Sequence, residues 1–285
     1  MIIWIASYPK SGNTWIRGFV SSLVYSKDGN LNMADLEKIK QYPIFPQFNN
    51  LIKNKEDLKL NTEEDINLIF KNFIPSQEII NFNDEMIFLK THFMNCKIGD
   101  YNFTNNENTF GTIHVVRDPR NVITSIMNHF HKKTIEEAYK FITNDNNWLY
   151  SKQYDHSFPT LISSWKTHYN YWKKSKKNYL LLKYEELVTN PDKEFGKVHN
   201  YLNDLKLINK DDVKFKNAIS STKFENFKKF ETSGEFSENV FEKTGEKTPF
   251  FNLGMKNDYK ELLSVEIRKK IEDEFKAEMI ELSYL

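Results

Sequence analysis

The chain of 285 residues carries one cysteine, Cys96, with nine glycines and eight prolines. A single thiol cannot build an internal disulfide framework, and without an accompanying Cys/His cluster it does not read as a structural zinc site. Cys96 is therefore expected to be a plain reduced thiol. Glycine and proline are too scattered to form a linker, and no repeat or low-complexity run divides the chain, so one domain is expected over 1–285. A charge excess is missing too. Forty Lys and Arg stand against 39 Asp and Glu, for a net +1. No global field then draws the chain to nucleic acid or to an anionic membrane, and any anion must be held locally. Long hydrophobic runs are also absent: the segment Met1-Ile2-Ile3-Trp4-Ile5-Ala6 has no basic start and is far too short for a signal peptide or a membrane span. A cytoplasmic protein is expected.

What is present is aromatic and apolar material for a core. The composition is 39% hydrophobic with 23 Phe and 14 Tyr, too much for a disordered chain. Ile2 to Ser7 is a continuous apolar run, followed by a turn and then by Trp15, Phe19, Ser22 and Leu23 at helical spacing to about Tyr25. Such a segment reads as buried strand, turn and helix. Similar short runs at Met86–Lys90, Thr112–Val116 and Tyr179–Leu182 are each followed by turn residues and a helical pattern. Repeated β-then-α order predicts an α/β fold of three layers, α/β/α, around a central parallel sheet. Residues 27–77 and 129–158 read as insertions above the sheet, either ordinary solvated segments or covers for a substrate. Thr62 with Asp65 predicts a capped helix to about Phe73, and Val265 to Ile280 predicts an amphipathic C-terminal helix. Aromatics in Tyr42–Phe48 and His129–Trp148 suit either an apolar acceptor or simple core filling.

The turn Tyr8-Pro9-Lys10-Ser11-Gly12-Asn13-Thr14-Trp15 sits where the first strand opens into the first helix. Unpaired N–H groups and the positive end of the helix dipole make that junction an anion site. Gly12 permits close backbone approach, Lys10 supplies a charge, and Ser11, Asn13 and Thr14 supply further donors. The lysine precedes the glycine and no earlier glycine exists, so the segment is not the G-x-x-x-x-G-K-[ST] loop of kinases and GTPases. After the third main strand comes Arg117-Asp118-Pro119-Arg120-Asn121, with Ser125 eight residues beyond Arg117. Arginine offers phosphate a two-pronged fork, and a helix starting near Pro119 would bring Ser125 beside it.

These segments resemble the sulfotransferases, whose loop reads close to Y-P-K-S-G-T-T-W; the one departure here is Asn13 in place of threonine. The resemblance implies a P-loop-like fold and the donor 3′-phosphoadenosine 5′-phosphosulfate, with 3′-phosphoadenosine 5′-phosphate as product. It implies that Arg117 and Ser125 hold the donor's 3′-phosphate and that Trp15 stacks on adenine. Tyr184-Glu185-Glu186-Leu187 is similar to the family's Y-E-D-like segment, whose tyrosine contacts the nucleotide. Thr222-Lys223-Phe224 is similar to its T-S-F beside the adenine. Phe250-Phe251-Asn252-Leu253-Gly254 is similar to F-x-R-K-G, with the glycine kept at Gly254 and the two cations replaced by Asn252 and Leu253. Either Lys256 or Arg120 compensates for them, or donor affinity is weaker.

Sulfuryl transfer needs a base for the acceptor proton and cations for the departing phosphate. Phe88-Leu89-Lys90-Thr91-His92 resembles the family's K-T-H-[LF]-P segment, with Met94 where proline is usual. Histidine is substantially neutral at cytoplasmic pH and can take a proton, which makes His92 the candidate base. Lys10 and Lys90 would neutralise the phosphosulfate, and the resemblance gives Ser125 a second role of holding Lys10 away from the bridging oxygen until acceptor binds. No metal enters this scheme. The competing readings are another nucleotide-dependent transferase such as a kinase, and a catalytically silent nucleotide-binding relative. A small-molecule acceptor with a hydroxyl or amine is expected. The dimerisation stretch K-x-x-x-T-V-x-x-x-E of the family is altered in Lys260 to Lys269, where Ser264 replaces threonine and the last charge is reversed. A monomer or weak homodimer follows.

Overall fold

In the computed structural model the described residues are 1–285 apart from 82–84, 151–155, 237, 239 and 242–246. The main sheet has five strands: β1 Ile2–Ser7, β2 Lys40–Gln41, β3 Ile87–Thr91, β4 Thr109–Val116 and β5 Tyr179–Lys183, in the order β2-β3-β1-β4-β5. It is parallel and flanked by helices, as the β-then-α order predicts. In β1 all six residues are buried, the pattern of a strand covered on both faces. It pairs with β3 from Ile2 opposite Ile87 to Ala6 opposite Thr91.

One strand was hidden in the first expected insertion. Lys40 and Gln41 pair with Leu89 and Lys90, so 27–77 is in part sheet. Both side chains are exposed, and a two-residue edge strand carrying a lysine has no apolar alternation to announce it. The Thr62 cap is as predicted: Thr62 Oγ1 accepts from Asp65 N and Asp65 Oδ2 accepts from Thr62 N, opening a helix over Glu63–Lys71. The C-terminal helix differs. It is two helices, Val265–Glu274 and Lys276–Glu281, divided at Phe275, which is fully buried and leaves helical geometry. Residues 151–155 of the second expected insertion lie outside the described residues.

The chain divides into two compact units, each assembled from interleaved stretches. The first comprises Met1–Tyr8, Ile39–His114 and Asn144–Leu181. Its core is aromatic, with Trp4, Tyr42, Phe48, Phe73, Phe93, Phe103 and Trp172 together and all but fully buried. Phe93 and Phe103 stack at 4.7 Å, and Phe48 and Phe158 at 4.1 Å. Tyr42 and Phe48 are therefore core residues, not acceptor-facing ones. The second comprises Pro9–Lys38, Val115–Thr143 and Leu182–Leu285. It contains α1 Asn13–Val24, α2 Pro119–His129 and a smaller cluster in which Phe227 and Phe236 pack with Leu31, Met33 and Leu36. No helix among the described residues is long and apolar enough to cross a membrane.

Candidate active site

Each motif picked out in the sequence follows the carboxyl end of a parallel strand: Tyr8–Trp15 after β1, His92 after β3, Arg117 after β4 and Tyr184 after β5. Open α/β sheets carry their sites there.

In the second unit the loop after β1 turns through two left-handed residues, Lys10 at φ 65° and Gly12 at φ 98°, before α1 begins at Asn13. Such turns gather successive N–H groups into an anion-binding concavity. Gly12 is required twice over. Its backbone favours glycine, and a Cβ there would stand 2.6 Å from the Tyr184 ring. Among the described residues no side chain caps the start of α1, and its first turn, Asn13 to Ile16, carries no acidic residue to offset the helix dipole. Ser11 is fully buried, and its Oγ finds no hydrogen-bond partner among the described residues. A buried hydroxyl without a partner is costly unless a ligand supplies one. The indole N–H of Trp15 is likewise buried and has no partner among the described residues, and its ring meets those of Tyr184 and Phe195 edge-on at 6.0 and 5.3 Å.

Arg117 ties this loop to the others of its unit. It is 7% exposed; Nη1 donates to the Lys10 carbonyl at 3.0 Å and to Ser125 Oγ at 3.3 Å, while the guanidinium lies 4.2 Å from the Tyr184 ring centroid. The eight-residue spacing thus does bring Arg117 and Ser125 together, because Asp118 caps α2 through Arg120 N and Pro119 occupies its first turn. The Lys10 ammonium lies 4.0 Å from the Phe250 ring centroid. Gly254, at φ 55°, packs so closely that a Cβ would sit 2.8 Å from the Phe224 ring. Thr222 is fully buried and its hydroxyl donates to Ala218 O at 2.7 Å. Its proton is committed to ending a helix, which leaves the hydroxyl oxygen able only to accept.

Arg120 does not compensate for the missing cations at Asn252 and Leu253. Its guanidinium is 6% exposed and pairs with Asp118 and Glu272, both at 2.6 Å, and also with the Tyr284 carbonyl at 2.8 Å. Burial opposes its charge, but these partners outweigh it and hold the proton more tightly than usual. Lys256 is exposed at the end of a 3-10 turn, Gly254–Lys256.

In the first unit His92 follows β3 and is half-buried. Its Nδ1 lies 2.7 Å from the Ser7 carbonyl and 3.3 Å from Ser7 Oγ. A carbonyl can only accept, so Nδ1 carries the proton and the lone pair sits on Nε2. The following turn is pinned by Trp172 Nε1 donating to Phe93 O at 2.9 Å. Lys90 is 6% exposed, its backbone held between β1 and β2. Sequence reasoning missed His168, on α3 Trp165–Trp172. It is fully enclosed, its ring hydrogen-bonds to the His92 backbone, and burial pushes its pKa down to about 3. Nothing in the helical spacing of His168 marks it as distinct from a core histidine. Among the described residues no group of three or more His, Cys, Asp or Glu gathers that could hold a metal ion.

The family description "Sulfotransferase domain" matches residues 2–283. Sulfotransferase 2A1 of Macaca fascicularis is 23% identical over 280 residues, covering 98% of this chain and 84% of that protein. Among solved structures, mouse sulfotransferase SULT7A1 complexed with PAP superposes with a TM-score of 0.59 at 16% identity, covering 98% of this chain and 84% of that one. A retinol dehydratase in complex with retinol and PAP gives 0.59 at 18% identity, covering 98% and 81%. The structural likenesses bear on the fold, and the domain match, running almost from end to end, assigns the lineage: this chain is a member of the sulfotransferase domain family.

Proposed function

We propose that this member transfers a sulfuryl group from 3′-phosphoadenosine 5′-phosphosulfate to the hydroxyl, or amine, of a small acceptor. The observation that carries the reading is the second unit's anion cradle, in which the left-handed Lys10–Gly12 turn, the buried Ser11 hydroxyl with no partner among the described residues and the Arg117–Ser125 pair are already assembled. Two relatives of the fold were crystallised with PAP, one of them with retinol, which agrees with a nucleotide donor and an alcohol acceptor.

In this reading Ser11, Gly12, Asn13 and Thr14 surround the 5′-phosphosulfate with N–H and hydroxyl donors. Arg117 and Ser125 grip the 3′-phosphate, and Trp15, Tyr184, Phe224 and Gly254 enclose the base. His92 Nε2 takes the acceptor proton while the acceptor oxygen bonds to sulfur. The bond from sulfur to the bridging oxygen breaks, and its electron pair leaves on the phosphate as 3′-phosphoadenosine 5′-phosphate. Lys10 and Lys90 offset that growing charge. Ser7, whose carbonyl orients His92, stands three residues before Lys10 in the chain. A kinase reading is disfavoured by the absent G-K-[ST], and a silent relative by the retention of Lys10, Lys90 and His92.

The test is ligand stabilisation. A nucleotide bound only by the folded state adds about 2.7 kcal/mol at a hundredfold excess over Kd. A clear rise in melting temperature is expected with 3′-phosphoadenosine 5′-phosphate and little with ATP, and Arg117→Ala should abolish the rise without unfolding the protein. The reverse order of ligands would remove the donor assignment.

A further inference from the structure

We propose that Asn257 is a positioning residue that commits the Ser125 hydroxyl to donating toward an anion, an inference that rests on the phosphate role given above to Ser125. Asn257 follows the Gly254–Lys256 turn and is 6% exposed. A carbonyl sets its amide orientation. Asn121 O can only accept, so the atom 2.9 Å from it is Nδ2, and Oδ1 accepts from Thr124 Oγ1. In that orientation Nδ2 also donates to Ser125 Oγ at 2.9 Å, and Arg117 Nη1 donates to the same oxygen at 3.3 Å. A hydroxyl has two acceptor lone pairs and one proton. Both lone pairs are engaged by nitrogens that cannot reverse their polarity, so the proton is what Ser125 has left to offer. A group wired in this way suits a phosphate oxygen and not a second cation.

The place of Lys10 agrees with this. Its ammonium rests on the Phe250 ring, on a loop that the buried Glu231 carboxylate holds through the N–H groups of Phe250 and Phe251. An aromatic face attracts a cation. With two donors already on Ser125 Oγ, that hydroxyl has no lone pair left for Lys10, whose ammonium meets the Phe250 ring. Asn257 thereby recovers phosphate selectivity in a chain that has Asn252 and Leu253 where its family has cations, and does so by polarity without added charge.

Calorimetric titration of 3′-phosphoadenosine 5′-phosphate and of adenosine 5′-phosphate, which lacks the 3′-phosphate, reads the effect as a ratio of Kd values. Wild type is expected to prefer the bisphosphate. Asn257→Ala should lose about tenfold of that preference, the scale of one hydrogen bond to a charged group, with affinity for the monophosphate held. Ser125→Ala should lose a similar factor, and the double variant no more than Ser125→Ala alone, because both act through one hydroxyl. Asn257→Leu keeps much of the side-chain volume, adds no charge and offers no donor to Ser125, so it must show the same loss if the alanine variant does not fold. An unchanged ratio in the Asn257 variants, or losses that add, overturns the role of Asn257. A wild-type protein without preference for the bisphosphate refutes the donor assignment, and this proposal falls with it.

Discussion

Mild acid should destabilise this protein through two buried histidines. His114, in β4, is fully buried with Nδ1 2.7 Å from the Tyr179 hydroxyl, and His168 is 1% exposed with their ring centroids 6.1 Å apart. Burial holds both pKa values below the ordinary one, His114 well below and His168 to about 3, and the neighbouring His168 adds to the effect on His114. Below the ordinary pKa the unfolded chain binds protons that the folded protein refuses, so stability falls as pH falls, from about 6.5 down to the folded value. Between pH 7.5 and 5.5 each histidine that stays neutral in the folded protein costs on the order of 1 kcal/mol, and the pair about twice that. For a chain of this length that is roughly 5 °C in Tm. Calorimetric or fluorescence melts of wild type, His114→Gln, His168→Gln and the double variant at the two pH values provide the measurement. Each single change should remove about half of what this pair contributes and the double change all of it, while His199, whose pKa burial also lowers, contributes equally in all four proteins. The readout is the pH difference, since each glutamine also alters packing. Burial raises the Glu185 pKa, which acts in the opposite sense, but this contribution is common to all four proteins. A double variant with the wild-type pH difference would refute the argument.

His92→Ala should lower single-turnover transfer by about a hundredfold to ten-thousandfold with nucleotide affinity nearly intact, whereas Lys10→Ala should lose turnover and affinity together; near-normal transfer by His92→Ala would defeat the base assignment. Gly12→Ala forces a Cβ to 2.6 Å from the Tyr184 ring at φ 98°, and should cost on the order of 1–3 kcal/mol of stability together with much of the nucleotide affinity, read by melting with and without 3′-phosphoadenosine 5′-phosphate. Because Ser264 replaces threonine and the last charge is reversed in the dimerisation stretch, light scattering should find a monomer or weak dimer, and a stable dimer that dissociates on Val265→Glu, at a residue 71% exposed in the single chain, would contradict that expectation.

The strands β1, β3 and β4 were legible because burial on both faces demands unbroken apolar runs, and Ile2 to Ser7 is one; β5 is only partly buried and was legible from its apolar run Tyr179–Leu182. The loop after β1 was legible because its chemistry is local: a left-handed glycine, a lysine and a helix start within eight consecutive residues. The Arg117–Ser125 pair was legible because one helix fixes the distance between them. What the sequence could not disclose depends on residues far apart along it. The edge strand β2 exists only because β3 offers it hydrogen bonds. The His92 tautomer is set by Ser7, 85 residues away, and the polarity of Ser125 by Asn257, 132 residues away. Tyr42 and Phe48 read equally well as core or as acceptor-facing until the packing around Phe73 and Phe103 enclosed them. Whether Arg120 was available to a phosphate was likewise undecided until Glu272 and the Tyr284 carbonyl were seen to occupy it. Propensity and spacing act over a few residues and are written in the chain. Hydrogen-bond polarity, tautomer and burial are properties of neighbours that only the folded chain brings together.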